Sequence, residues 1–348
     1  MSVIVLSCRK YVVMISKVIY IAFIFIICIT DISISAEVPN VIIITLEGVR
    51  NQDSIGDPVH QYIPNLWFKM IKEGTFFTSV IDFNRQFHMP VVGCINSGKW
   101  QLSEQAILSP SIFQYARKLY RWPKEKTWMI GEWDNQSFYE TSGYYLDTAP
   151  CRLKTLSIEP PPELVKILDD QEKLFFERYK KIERLPISFW PTWDSLNEIE
   201  QRMIKKVLKV FKPKLVHYVI NATETAHFDD YGRYVISLKR ADEMIFEIWR
   251  MVRDDPFYRD NTYLIVTPDH ERNAYHMDHT ENPIERPSVV WMYVYGPFIK
   301  KNTVIKNTIY RPDIFPTVAT ILGLQVEQGD GRVLKECFTD GFLERAGL

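Results

Sequence analysis

Five of the seven histidines, His88, His227, His270, His276 and His279, fall in short polar stretches after apolar runs, and the carboxylates Glu47, Glu224 and Asp269 accompany them. Imidazole and carboxylate together suit zinc or another borderline divalent cation, whereas shells of oxygen alone suit calcium or magnesium. A single histidine after a strand is ordinarily a packing or surface residue. "NATETAH", "PDH" and "HMDH" in succession predict a metal centre. Cysteine-based zinc is excluded as the model for it, since no CxxC pair or cysteine cluster occurs.

His88 raises a separate question. In "NRQFHMPVVGCINSG", residues 84–98, a strand-like run stops, Pro90 stands where a helix's first turn tolerates proline, and small residues continue to Gly98. The free N–H groups of a helix N-terminus stabilise negative charge, which makes this a favourable place for a nucleophile. No serine, threonine or cysteine stands at the turn; His88 does.

The elements that must position these groups are legible from hydrophobic pattern. "NVIIITLEGVR", Phe77 to Phe83, "KLVHYVI" (214–220), "TYLIVT" (262–267) and "SVVWMYVYG" are short apolar runs of the kind that form buried strands. "IPNLWFKMIKEG" predicts a helix ending at Gly74. Tyr234, Leu238, Ala241, Ile245, Ile248 and Val252 are spaced by fours and threes, which predicts a long amphipathic helix. "RPDIFPTVATILGL" predicts another, capped by Asp313. Strands alternating with long helices imply an α/β fold with a mostly parallel sheet covered on both faces, whose ligands gather at the carboxyl ends of the strands. Glu47, His88, "NATETAH" and "PDH" all follow predicted strands. The stretch from about 100 to 200 is rich in Trp and Tyr and contains the helix-like "PELVKILDDQEKLFFERYKKI". It reads as outer-layer packing over the sheet edge, with a lid or substrate wall as the alternative.

In this order the motifs resemble the alkaline phosphatase and sulfatase superfamily, from about Asn40 to Phe338 apart from the middle. "VIIITLEGVR" resembles the first metal-binding strand, "IPNLWFKMIKEGTFFTSV" the P-N-L helix and its strand, and "HMPVVGCINSG" the nucleophile helix. "TETAHFDDYGRYVISLKRADEMI" resembles the second metal motif, "LIVTPDHERN" the D-H-G motif, "HMDHT" the last histidine motif and "DGRVLKE" the end of the fold. The resemblance implies a three-layer α/β/α sandwich, alkaline phosphatase-like, over residues 37–348 with the aromatic-rich stretch as an insertion. It also implies hydrolysis of small phosphate or sulfate esters by one or two divalent ions, zinc first among them, that bind the attacking and leaving oxygens. Carried over by position, Glu47, His88, Asp269 and His270 would hold one ion, and Glu224, His227 and His279 the other.

Four positions depart from that pattern. Glu47 stands for Asp, Thr223 stands where the second motif has Asp (Glu224 is the nearer carboxylate), Glu271 replaces the Gly of D-H-G, and His88 occupies the nucleophile position. As a nucleophile, His88 would form a phosphohistidine. As a ligand, its lone pair is occupied, and with Glu47, Asp269 and His270 it closes a shell of two nitrogens and two carboxylates. Three functions stay open at this point: a hydrolase working through metal-activated water, a catalytically silent member using the metal for folding, binding or assembly, and a transferase acting through His88.

The first 36 residues carry no fold signal. Arg9, Lys10 and Lys17 precede the apolar run Val18 to Thr30, and "DISISA" ends in small residues, the order of a cleaved secretory signal. Met14 opens a tidier version of the same leader. Export to the periplasm or outside the cell is therefore expected, with membrane contact only through an uncleaved leader. The 312 residues from Glu37 hold 39 basic and 42 acidic side chains without a basic block, which argues against nucleic acid as a partner. Three cysteines remain there, Cys94, Cys151 and Cys337, too few and too odd in number for a disulfide framework. A protein partner over the aromatic stretch is left open.

Overall fold

Strand β1 (Asn40–Leu46) is buried along its whole length. Its side chains divide between two cores: Ile42, Ile44 and Leu46 enter one, Val41 and Ile43 the other. A strand apolar on both faces belongs inside a sheet covered on both sides. The computed structural model describes residues 37–84, 88–102, 109–132, 151–153, 158–159, 162–182, 193–223, 231–273, 287–327 and 329–348, and of His88 the backbone only. Leader residues 1–36 lie outside the described residues.

β1 pairs in parallel with β6 (Leu215–Ile220) on one side and β7 (Thr262–Pro268) on the other. Outward from β6 come β3 (Thr127–Glu132), β4 (Cys151–Leu153) and β5 (Ile158–Glu159); outward from β7 come β8 (Ser288–Tyr295), β2 (Thr75–Asp82) and β10 (Ile309–Tyr310), with β9 (Thr303–Ile305) also beside β2. Among the described residues these ten strands form one sheet, parallel except where β8 runs between β7 and β2 and where β5 returns beside β4.

Among the described residues the longer helices in chain order are α1 (Pro64–Phe68), α2 (His88–Ser97), α3 (Ile112–Tyr120), α4 (Asp170–Ile182), α5 (Trp193–Phe211), α6 (Tyr231–Asp254), α7 (Ile314–Ile321) and α8 (Asp340–Ala346), with a single helical turn, Pro162–Val165, before α4. α5 and α6 cover one face: Met203, Ile204, Val207, Leu238, Ala241, Ile245 and Ile248 join Ile42 and Ile44 in one core. α2, α3, α7 and α8 cover the other, through Val91, Ile95, Phe113, Val318 and Phe342. This is the three-layer α/β/α architecture, and each fully buried aliphatic or aromatic side chain in it contributes about 1.5–3 kcal/mol. All six residues of the four-and-three spacing on α6 are buried.

Three local expectations change. The helix expected up to Gly74 is α1 followed by a 3-10 turn, Met70–Glu73. Asp242 of α6 supplies the cap α1 lacks, accepting from the N–H groups of Asn65 and Leu66. Asp313 does not cap α7 through its side chain; its carboxylate accepts from the Tyr310 and Arg332 N–H groups, fastening the 3-10 turn before α7 to the later chain. The single helix expected after Pro162 is interrupted, because Asp169 and Glu172 exchange side-chain-to-backbone bonds and start α4 afresh.

His217 of β6 lies wholly inside the sheet–α2 interface, its Nδ1 2.9 Å from Asn96 Oδ1 and its Nε2 3.3 Å from Thr45 Oγ1. Burial pushes its pKa from 6.5 down to about 3, so the folded protein holds it neutral. The unfolded chain takes up the proton below 6.5 and the folded chain does not. Stability is thus expected to be fully present above pH 6.5 and to fall by about 1.4 kcal/mol per pH unit from this group as pH drops toward 3. Urea midpoints measured from pH 7 to 4 check this: His217→Gln should give a shallower decline than the wild-type chain.

Candidate metal centre

The last ladder pairs of the three central strands align Pro268, Leu46 and Ile220. The next residues on each strand are Asp269, Glu47 and Asn221. The backbone keeps them together past the strand ends, with Glu47 N–H donating to Ile220 O at 3.0 Å, Asp269 N–H to Leu46 O at 2.9 Å and Val49 N–H to His270 O at 3.1 Å. Side chains 222 and 223 residues apart in sequence, Glu47 with Asp269 and Glu47 with His270, are neighbours because β1 and β7 pair in register.

Glu47, Asp269 and His270 are all buried, and one donor atom from each lies within 4.8 Å of the others. His270 Nε2 is 3.2 Å from Glu47 Oε1 and 3.7 Å from Asp269 Oδ2. Asp269 is oriented by its other oxygen, Oδ1, which accepts from Gly48 N–H at 2.8 Å and His270 N–H at 2.7 Å. His270 is oriented by its Nδ1, 2.9 Å from the Glu271 carbonyl. A carbonyl only accepts, so Nδ1 carries the hydrogen, and in the neutral ring Nε2 presents its lone pair to the cluster, the arrangement usual in metal-bound histidine. Two carboxylate oxygens and one imidazole nitrogen fit a borderline divalent ion well.

A guanidinium shares this space. Arg272, also buried, places Nη2 3.6 Å from Glu47 Oε1, and donates from Nε to Gly48 O at 2.9 Å and from Nη2 to Thr223 O at 3.3 Å. Gly48 has φ +45°, and a Cβ there would stand 2.5 Å from Arg272 Nε, so only glycine permits both the turn and the close approach. Thr223 donates its hydroxyl to the Glu47 carbonyl, which makes it a strap across the strand ends. Glu271 is likewise tied into backbone: its carboxylate accepts from Asn51 N–H at 3.0 Å, and burial raises its pKa.

A buried ion pair braces the centre from behind. Arg311 Nε donates to Asp82 Oδ2 at 2.6 Å, Nη1 to Thr267 Oγ1 at 3.0 Å and Nη2 to Asp269 O at 2.8 Å. It thereby joins the end of β2, which leads toward α2, to the ligand-bearing end of β7.

The structure brings three of the seven candidate ligands together. His88 is the first residue of α2, as the proline position predicted, and its side chain lies outside the described residues. Glu224, His227, His276 and His279 lie outside them too. Sequence reasoning missed Arg272 and Arg311. The signal for Arg272 was a cation two residues beyond "DH"; Arg311 had none. Asn221 begins an Asn-Ala-Thr triplet of the kind glycosylating hosts modify, but it is 1% exposed and closed to that modification in the folded chain.

No family model and no curated protein matches the sequence. Solved structures match the fold. A phosphonate monoester hydrolase of Agrobacterium radiobacter is 15% identical with a TM-score of 0.57, over 87% of this chain and 78% of its own. A putative sulfatase from Bacteroides thetaiotaomicron is 10% identical with a TM-score of 0.58, over 86% and 74%. The lipoteichoic acid synthase LtaP from Listeria monocytogenes is 13% identical with a TM-score of 0.55, over 88% and 76%.

Proposed function

Within the alkaline phosphatase and sulfatase fold that this chain adopts, we propose that it is an exported metal-dependent hydrolase of phosphate or sulfate esters. The observation that carries this reading is the buried convergence of Glu47, Asp269 and His270 at the carboxyl ends of β1 and β7. A divalent ion held there, zinc first for a mixed nitrogen and oxygen set, supplies charge stabilisation to an ester oxygen. The chain's own contribution is orientation: Gly48 and His270 N–H groups aim Asp269, the Glu271 carbonyl selects the His270 tautomer, and Arg272 balances Glu47. His88 is assigned to the metal shell instead of the nucleophile role, and Glu224, His227 and His279 to a second ion. The leader of Arg9, Lys10, Lys17 and Val18 to Thr30 supports export, and the acidic balance of the remainder argues against nucleic acid.

A second reading, a catalytically silent member that uses its metal for structure or assembly, is favoured by one set of observations. The start of α2 offers no hydroxyl or thiol, and Thr223 and Glu271 are engaged in backbone hydrogen bonds. One experiment separates the two. The exported full chain, expected to begin at Glu37, is purified, its metal counted, and phosphate monoesters, phosphate diesters and sulfate esters assayed beside a chelated control and a His88→Thr variant. Turnover above the chelated control supports the hydrolase. Turnover only by His88→Thr supports the silent reading with a blocked nucleophile position, and unchanged metal content in that variant would overturn the ligand role of His88.

A further inference from the structure

Asn221 flanks Glu47 on β6 as Asp269 flanks it on β7, one residue beyond the last aligned row. Alternation along β6 puts it on the side of Leu215 and His217, the side covered by α2. Its side chain is 1% exposed, and neither Nδ2 nor Oδ1 makes a hydrogen bond. An amide buried with both its donor and its acceptor idle carries the desolvation penalty of each, which folded proteins rarely retain without a reason. Leucine would fill the same volume without that penalty. The position is also the end of a polar row whose other two members, Glu47 and Asp269, are carboxylates. A carboxylate here would add a third negative charge and repel an anion, whereas an amide N–H₂ donates to one at any pH.

We propose that Asn221 is an oxyanion-binding residue of the centre, its Nδ2 donating to an oxygen of the phosphate or sulfate group of the bound ester. The inference rests on the ester-hydrolase reading above. It adds a named contact to the tetrahedral group on the side of Glu47 away from Asp269. Preorganised neutral donors of this kind are effective because they are dry and already oriented when the anion arrives.

The test uses zinc-loaded full-length protein, inorganic phosphate and sulfate as probes, and calorimetry. Asn221→Leu is expected to bind metal in the same amount, to bind phosphate on the order of 10- to 100-fold more weakly, and to raise the urea midpoint of the anion-free protein. A structural asparagine would give the opposite stability change, so a lowered midpoint with unchanged phosphate affinity overturns the proposal. Asn221→Ala removes the amide without adding charge and is the check if the leucine variant does not fold: equal phosphate affinity at pH 7 overturns the proposal, and a loss supports it. A wild-type chain that holds metal yet binds neither anion sinks this inference alone. A wild-type chain that holds no metal removes the hydrolase reading and this inference with it.

Discussion

Glu47→Gln is expected to reduce affinity for the divalent ion by at least about 100-fold, measured by zinc competition against a chromogenic chelator. The substitution keeps the size of the side chain and removes one of the two formal negative charges that face His270 Nε2. In a buried site the Coulomb attraction between a carboxylate and a dication is only partly screened, so losing it outweighs the donor strength an amide oxygen retains. Changing groups behind a metal's ligands typically costs 10- to 100-fold, and a ligand should cost no less. Folding is controlled separately by urea denaturation in chelator: the variant leaves the buried Arg272 guanidinium without its carboxylate partner, so a loss of up to about 3–5 kcal/mol is expected, and zinc affinities are compared only where both proteins are folded. Retained zinc affinity in a folded Glu47→Gln protein would show that the ion sits elsewhere.

The second large effect is expected at Arg311. Its guanidinium and the Asp82 carboxylate are both fully buried, and it also holds Thr267 Oγ1 and the Asp269 carbonyl. Arg311→Met should destabilise the fold by about 3–5 kcal/mol, the usual consequence of leaving one member of a buried pair uncompensated. That is a large share of the 5–15 kcal/mol typical of a folded domain. Pairing it with Asp82→Asn should recover part of the loss, since the stranded charge is then gone. Because Arg311 also grips the Asp269 backbone, the double variant is expected to fold better than the single one and still bind metal more weakly than wild type. Equal metal affinity would confine Arg311 to a purely structural role.

The parts of this fold that local pattern reports were readable without coordinates. A buried parallel strand is apolar on both faces and a packed helix on one, so β1, β6 and β7 declare themselves as short continuous apolar runs and α6 through a period of 3.6. The tendency of α/β sheets to collect ligands at strand carboxyl ends then pointed to Glu47 and Asp269 before any distance was known. Where local pattern misled, a polar group found a distant partner. Asp313 looked like a helix cap, yet its carboxylate bonds Arg332 N–H, 19 residues on. Glu271, which stands where the resemblance expects the Gly of D-H-G, accepts from Asn51 N–H, 220 residues away.

By itself, then, the sequence determined the layer architecture, the strand ends and the residue types available for chemistry, because hydrophobic periodicity and turn chemistry act over a few residues. Only the tertiary structure decided which acids meet His270, that Arg272 enters beside Glu47 through the opening left by Gly48, that Arg311 anchors Asp269 from behind, and that Asn221 is buried with its amide idle. Those facts depend on which polar atoms are satisfied and by what. Satisfaction is a property of groups brought together by the fold from positions as far as 225 residues apart, as Glu47 and Arg272 are, and no periodicity within the chain encodes it.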